Sequence, residues 1–393
     1  MLIIKLAFRN ILGAGLRTWL NVFVLSLAFV AIIWMQGLLD GVGEQVMNNM
    51  IETEVGGGQY WRRAFDPYDP LSLEAAHGPL PRSLDELISQ GRAIPLLMTS
   101  GAIYPQGRIQ SALIKGIPPD QHILNLPTGL LEEPAPPGMI PAMIGQRMAK
   151  QTALKAGDDV TVRWRDVNGT FDATDLMIVA IMNTNVPTVD NGQVWIPLDR
   201  LREMMRAPNE ATLVVQGKGV PAVPSGDEHW VHRDLDYLLK DVVDMIRTKS
   251  VSSSIFYAML LGMALLAIFD TQVLAIFRRR REIGSLMALG MYRGQVIWLF
   301  TLEGALHGLL ALVVGAVYGV PLMILSAIRG LPLPPSSEGF GVAISATMYP
   351  SYGLKLVAGT TLLILFTVTL VSLIPTRRIA RLNPTDALRG RTS

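Results

Sequence analysis

Glu303 and His307 stand four residues apart, about one helical turn, inside a long apolar stretch. A carboxylate and an imidazole at that spacing can hold a proton or supply two ligands to a metal ion. Asp270 is a third ionisable group set in apolar sequence. Groups of this kind are functional candidates wherever a membrane surrounds them. Only two ligands share the turn, however, and Asp270 and Glu303 both lie near the ends of their segments. Pairing with neighbouring groups, or placement at an interface, is therefore the favoured reading. No Gly-rich nucleotide loop ending in Lys-Ser/Thr occurs, no His-Glu zinc motif and no Gly-x-Ser-x-Gly elbow. The chain is not expected to be an enzyme by itself, nor to bind a cofactor, a metal or a nucleic acid. If ATP drives it, another chain binds the ATP.

A second cluster suggests recognition rather than catalysis. Arg278, Arg279, Arg280 and Arg281 precede Glu282-Ile283-Gly284, and the run continues through Met287, Leu289, Gly290 and Tyr292 to Arg293. Read as a short amphipathic helix, Ile283, Leu286, Met287 and Leu289-Gly290 form a compact apolar face. Arg279 to Arg281, Glu282 and Arg293 form charged rims that would fix the orientation of a partner. Anchoring to lipid phosphates is the alternative, but attraction of arginines to phosphate does not need the Glu-Ile-Gly pattern.

Four apolar segments must position these residues, each long enough to cross a bilayer at roughly 20 residues per crossing. They are Leu20–Leu39, Ile255–Phe277, Val296–Ile328 and Tyr352–Ile374. The third would reach about 50 Å as a helix, so it is expected to tilt, break or project beyond the lipid. Half the chain is hydrophobic and only 17% is charged, a balance unlike that of an ordinary soluble enzyme. Residues 40–250 hold 19 Lys/Arg and 27 Asp/Glu, while the remainder is strongly basic. Lys5, Arg9 and Arg17 precede the first segment, the arginine run lies between the second and third, and five arginines follow the fourth. The positive-inside bias then puts both termini and the Arg278 loop in the cytoplasm, with 40–250 on the far side. The first apolar segment is read as an uncleaved anchor. The absence of cysteine excludes disulfides and thiolate metal sites.

The expected architecture is an α+β membrane protein with four transmembrane helices and a large mixed α/β extracytoplasmic domain after the first. The expected parts are a cytoplasmic amphipathic helix (1–18), a first span (19–39), an extracytoplasmic domain with helical stalks (40–250) and a second span (251–277). A cytoplasmic coupling helix (278–295), a third span (296–328), an outer loop (329–351), a fourth span (352–376) and a cytoplasmic tail (377–393) follow. Val42, Val46 and Met50 on one side, and Leu235, Leu238, Leu239, Val242, Val243 and Ile246 on the other, predict stalks that continue the membrane helices. Strands are predicted at Ser111–Ile117, Val160–Trp164, Leu176–Ile181, Val194–Ile196 and Thr212–Gln216, with an Asn168-Gly169 hairpin turn and a helix from Pro197 to Met205. Pro127–Pro141 reads as a loop. The small-xxx-small pairs Gly304/Gly308 and Gly315/Gly319 predict close helix packing.

The run Arg279-Arg280-Arg281-Glu282-Ile283-Gly284, then Ala288-Leu289-Gly290 and Glu303, resembles the FtsX/MacB-like permeases of ABC transporters. So does the ending Ile374-Pro375-Thr376-Arg377-Arg378, with Asn383-Pro384-Thr385-Asp386-Ala387-Leu388-Arg389. Gly57-Gly58-Gln59-Tyr60 with Asp66-Pro67-Tyr68-Asp69-Pro70, Ile144-Gly145-Gln146 and Val194-Trp195-Ile196-Pro197-Leu198-Asp199 are similar to the lipoprotein-releasing (LolC/LolE-like) branch. Three features depart from the pattern. Arg278 replaces a frequent Glu, Asp270 replaces a small polar residue, and the Asn168-Gly169 hairpin is too short to be the loop that recruits a soluble carrier.

The resemblance implies a dimer of four-span subunits, with an identical or related partner, in a bacterial inner membrane. It also implies a cytoplasmic ABC ATPase that holds ATP and Mg and docks on Arg281, Glu282, Ile283, Gly284, Met287, Leu289, Gly290 and Arg293. Function would be mechanotransmission, releasing lipoproteins or similar amphipathic cargo. Acyl chains would lie in a groove lined by Phe23, Leu27, Val30, Met35 and Leu38, in contact with membrane lipid. Alternatives are a drug or peptide efflux permease with a periplasmic adaptor, an ATPase-driven regulator of a cell-wall hydrolase, and an intramembrane enzyme using Glu303 and His307.

Overall fold

The computed structural model describes residues 15–184, 186–278, 280–332 and 347–379. The amphipathic stretch expected over 1–18 falls outside them as far as residue 14, as does the tail beyond 379. The chain divides into two compact units, one of long apolar helices and one of mixed α/β structure spanning Glu44–Asp244.

The helical unit has four helices long and apolar enough to cross a membrane. Gly15–Met50, Lys240–Arg278, Arg293–Arg329 and Leu354–Ile379 carry them. The first is the central one: half of its most apolar window is buried, against about a fifth for each of the others. Its neighbours meet it through small residues. Val30 packs where side chains on Gly315 and Gly319 would otherwise stand, and a Cβ on Gly319 would come within 2.6 Å of Val30 Cγ2. Gly304 lies under Ser372 and Gly308 under Val368 and Leu365, so both glycine pairs serve packing within the chain. Polar contacts add to this close approach. Asn21 donates to Thr271 Oγ1 at 2.5 Å, Ser26 and Tyr318 hydroxyls lie 3.1 Å apart, and Thr360 donates to Gln36 Oε1 at 2.9 Å. Each ties the first helix to a different neighbour.

The third long helix does not break. It runs unbroken for 37 residues through Pro321 and ends at Arg329, where Gly330 adopts φ +67°. The second stalk begins later than expected. Leu235–Leu238 is a separate turn capped by the Asp234 carboxylate on the Tyr237 N–H, and the long helix starts at Lys240.

The mixed unit is built on eleven strands: β1 (Gly58–Arg62), β2 (Gly78–Pro79), β3 (Ala93–Ile103), β4 (Gln110–Ile117), β5 (Met139–Gly145), β6 (Asp159–Arg165), β7 (Phe171–Met182), β8 (Gln193–Pro197), β9 (Glu210–Ala211), β10 (Leu213–Gln216) and β11 (Trp230–Arg233). Nine of them form one sheet in the order β11-β1-β10-β3-β4-β8-β5-β7-β6, and β6 pairs back with β3. Six strands therefore close on themselves and leave β10, β1 and β11 as an arm. Closure removes the open edges that a sheet of this size would expose. The five strands predicted from sequence are present, and the Asn168-Gly169 turn joins β6 to β7 with Gly169 at φ +82°. The Pro-rich stretch differs from its expectation, because β5 begins inside it and carries Pro141.

Inward-facing residues of the closed strands alternate with outward-facing ones. Leu97, Ile114, Ile144, Val162, Ile178, Val194 and Ile196 are buried in one cluster. The helix Leu198–Met205 adds Leu198, Leu201 and Met205 to it, and Gln146–Thr152 adds Met148.

Candidate functional site

At one end of the helical unit the arginine turn folds as the helix Arg280–Ala288, a tight turn, and the start of the helix Arg293–Arg329. Ile283 is only 2% exposed and packs with Val296 and Phe300, while Met287 and Met291 close over the same cluster. These side chains anchor the short helix to its own chain, so the apolar face expected to meet a partner is partly turned inward. Gly284 is buried with them. What faces outward is the turn. Leu289 is 85% exposed, Gly290 adopts φ +97° with open space around its Cα, and Arg293 is exposed beside it. The Tyr292 N–H donates to Gln295 Oε1 at 3.0 Å, which fixes the start of the next helix. The Arg281 and Glu282 side chains lie outside the described residues.

The intramembrane ionisable groups are not one site. Asp270 is exposed on the surface of the unit, whereas Glu303 and His307 are buried. His307 Nδ1 lies 2.6 Å from the backbone carbonyl of Glu303; a carbonyl only accepts, so Nδ1 carries the hydrogen. Among the described residues no group of three His, Asp or Glu side chains is placed to hold a metal ion. The sequence reading missed Gln272 and Ser372, both buried against Gly304. The signal available for them was a polar residue on the glycine-facing side of an apolar helix. Of the expected groove residues, Phe23, Leu27 and Met35 are exposed and Leu38 is half-buried. Val30 is not among them: it is buried against Gly315 and Gly319.

The mixed unit holds a cavity of about 1100 Å³ that sequence reading did not anticipate. One wall is the outward face of the sheet: Gln59 and Trp61 on β1, Leu96 and Met98 on β3, Lys115 on β4, Gln193 and Trp195 on β8, Leu213 on β10. Residues 65–74 and the segment around Tyr237 and Asp241 supply the other side. The Tyr68 hydroxyl donates to the Asp241 carboxylate, which joins those two pieces. Asp66 and Asp69 shape the covering loop by accepting from the Tyr68 and Leu71 N–H groups.

Lys115 is the unusual group in the cavity. Its ammonium lies 3.6 Å from a Glu54 carboxylate oxygen and 4.9 Å from the centre of the Trp195 ring. Burial pushes its pKa down, against the opposing pull of Glu54. Glu54 is held in place by the Thr188 hydroxyl at 2.9 Å. Two buried polar atoms of the same cavity wall, Trp195 Nε1 and Gln193 Oε1, have no hydrogen-bond partner among the described residues.

Four helices long and apolar enough to cross a membrane, with a large mixed domain in the chain between the first and second, have the layout of a polytopic membrane protein. Residues 254–384 match the family described as FtsX-like permease C-terminal. The chain is also 22% identical over 238 residues to the "Lipoprotein-releasing system transmembrane protein LolC" of Neisseria meningitidis serogroup B (strain MC58). That alignment covers 55% of this chain and 57% of the relative, so it spans little more than half of either protein. The resemblance carried by the arginine turn and the C-terminal motif is borne out as a similarity: the matched C-terminal region and the distant relative both support likeness to ABC-transporter permeases of the FtsX/MacB/LolC-like kind. Two of the motifs that suggested the lipoprotein-releasing branch, Gln59 with Asp66–Pro70 and Trp195 in its strand, line the cavity.

Proposed function

We propose that this chain is the membrane subunit of an ABC transporter that passes the motion of a separate cytoplasmic ATPase to its mixed domain, on the periplasmic side, and so releases lipoproteins or similar amphipathic cargo. One observation carries the docking half of this reading. An exposed leucine and a left-handed glycine, Leu289 and Gly290, stand on a turn that Ile283, Met287, Val296 and Phe300 hold to the bundle. A rigidly anchored apolar knob beside arginines suits a groove on a partner, because little ordering entropy is lost when it binds. In the chain the mixed domain lies between the first two long helices, Gly15–Met50 and Lys240–Arg278. The cargo half rests on the distant relative alone.

Leu289→Asp tests the joint without touching the buried anchor. With the partner ATPase in nanodiscs, the variant should keep its thermal midpoint, lose copurification of the ATPase and lower coupled ATP turnover at least tenfold, since central apolar interface residues cost about 2 kcal/mol or more. Normal association would sink the docking reading. Cargo is tested separately: lipoproteins that neither stimulate turnover of the intact complex nor leave the membrane would remove the release assignment.

A further inference from the structure

We propose that the cavity on the outward face of β1, β3, β4, β8 and β10 binds an extended apolar segment of a separate polypeptide, gripping one of its amide groups and favouring basic residues on either side of it.

The polar atoms specify the amide. Trp195 Nε1 is a buried donor with no partner among the described residues, and Gln193, two residues earlier on the same face of β8, has a buried acceptor oxygen that likewise has none. Lys115 adds an ammonium with three N–H bonds, whose nearest carboxylate oxygen is 3.6 Å away, beyond ordinary hydrogen-bond length. A peptide unit presents one carbonyl oxygen and one N–H, which matches two neighbouring donors and one acceptor. An acyl chain would leave the indole N–H and the amide oxygen unsatisfied, and buried polar groups are almost always paired.

The rest of the lining suits side chains rather than a sugar or nucleotide. Leu96, Met98, Leu213 and Trp61 form the wall around those atoms, and the volume of about 1100 Å³ is at the upper end of small-molecule pockets, which run to about 1,000 Å³. The mouth is acidic. Asp66, Asp69 and Asp241 are exposed there, with Lys240 the one exposed cation among the described lining residues, and Glu74 is already paired with Arg165 at 3.0 Å. That surplus repels polyanions and attracts a cationic flank.

This inference shares no residue with the ATPase joint, so either can fail alone. The test uses the full-length chain in lipid nanodiscs and a fluorescein-labelled, acetylated and amidated heptapeptide of alternating leucine and alanine between two lysines. Anisotropy, corrected with empty nanodiscs, should show saturable binding. Trp195→Phe keeps the ring and removes the donor, and should weaken binding about tenfold, the equivalent of one hydrogen bond in a dry site. Ser111→Trp places an indole in the cavity from an exposed position and should abolish binding with an unchanged thermal midpoint. Exchanging the peptide's lysines for glutamates should weaken binding at least tenfold. Binding that Ser111→Trp leaves intact, absence of saturable binding, or palmitate occupying the cavity in preference to the peptide would each overturn the proposal. Equal affinity for the glutamate peptide would overturn its cationic preference.

Discussion

The two faces of β3, β4 and β8 are made by alternate residues of the same strands, yet they are built differently. The inward face is Leu97, Ile114, Val194 and Ile196, aliphatic and closed by the helix Leu198–Met205. The outward face is Met98, Lys115, Gln193 and Trp195, large, polarisable or hydrogen-bonding, and it borders a void. Both faces are buried by area, so burial alone does not separate them. Chemistry does. The inward side is aliphatic at these positions, while the outward side holds a cation, an indole N–H and an amide oxygen that the chain itself does not fully use. Stability is vested in one face and recognition in the other.

The largest effect that would test this contrast is a charge on the inward face. Ile114→Asp places an unpaired carboxylate in the dry cluster and should cost about 4 kcal/mol or more, enough to unfold a marginal domain. Urea titration of the full chain, followed by tryptophan fluorescence of the mixed unit, would register it. A folded Ile114→Asp protein with normal midpoint would mean that water reaches the inward face.

A finer comparison uses adjacent residues. Leu97→Ala leaves a hole in close packing and should cost about 2–5 kcal/mol. Met98, one residue on and almost as buried, borders space that already exists, so Met98→Ala should cost only about 1 kcal/mol. Equal losses in the same titration would show that the cavity wall is packed as tightly as the core.

Much of the architecture was legible before any coordinates. The spans are long apolar runs with arginines at their ends, and β4, β6, β7, β8 and β10 alternate or cluster β-branched and aromatic residues. Strands β1, β3 and β5 were not legible, for a local reason. Pro95 and Gly101 interrupt β3, and Pro141 sits in β5 within a Pro-rich stretch. Two glycines precede β1 and a third, Gly58, opens it; turn residues outvoted strands that only tertiary pairing stabilises. The turn at Leu289 was found as a motif, but which of its apolar residues face inward depends on Val296 and Phe300, one helix later. The cavity was out of reach altogether. Its polar atoms come from positions 115, 193 and 195, brought together by the parallel pairing of β4 with β8, in which Lys115 stands opposite Trp195. One hint was present: a lysine in the middle of Leu113-Ile114-Lys115-Gly116-Ile117, where an outward strand position on a soluble face would ordinarily have polar neighbours two residues away.

The smallest expected effect concerns that lysine. Its pKa is lowered from 10.5 in the folded protein because burial disfavours the ammonium more than Glu54 favours it. Between the lowered value and 10.5 the unfolded chain therefore binds more protons than the folded one, and stability rises with pH across that window, by at most about 1.4 kcal/mol per pH unit. Below the window the charged lysine is a standing cost. Subtracting the melting curve of Lys115→Met from that of the wild type, from pH 8 to 10.5, isolates the lysine. The wild type should gain on the variant as pH rises. A difference that falls instead would mean that the Glu54 ion pair outweighs desolvation, and the ammonium would then be satisfied within the chain rather than held ready for a ligand.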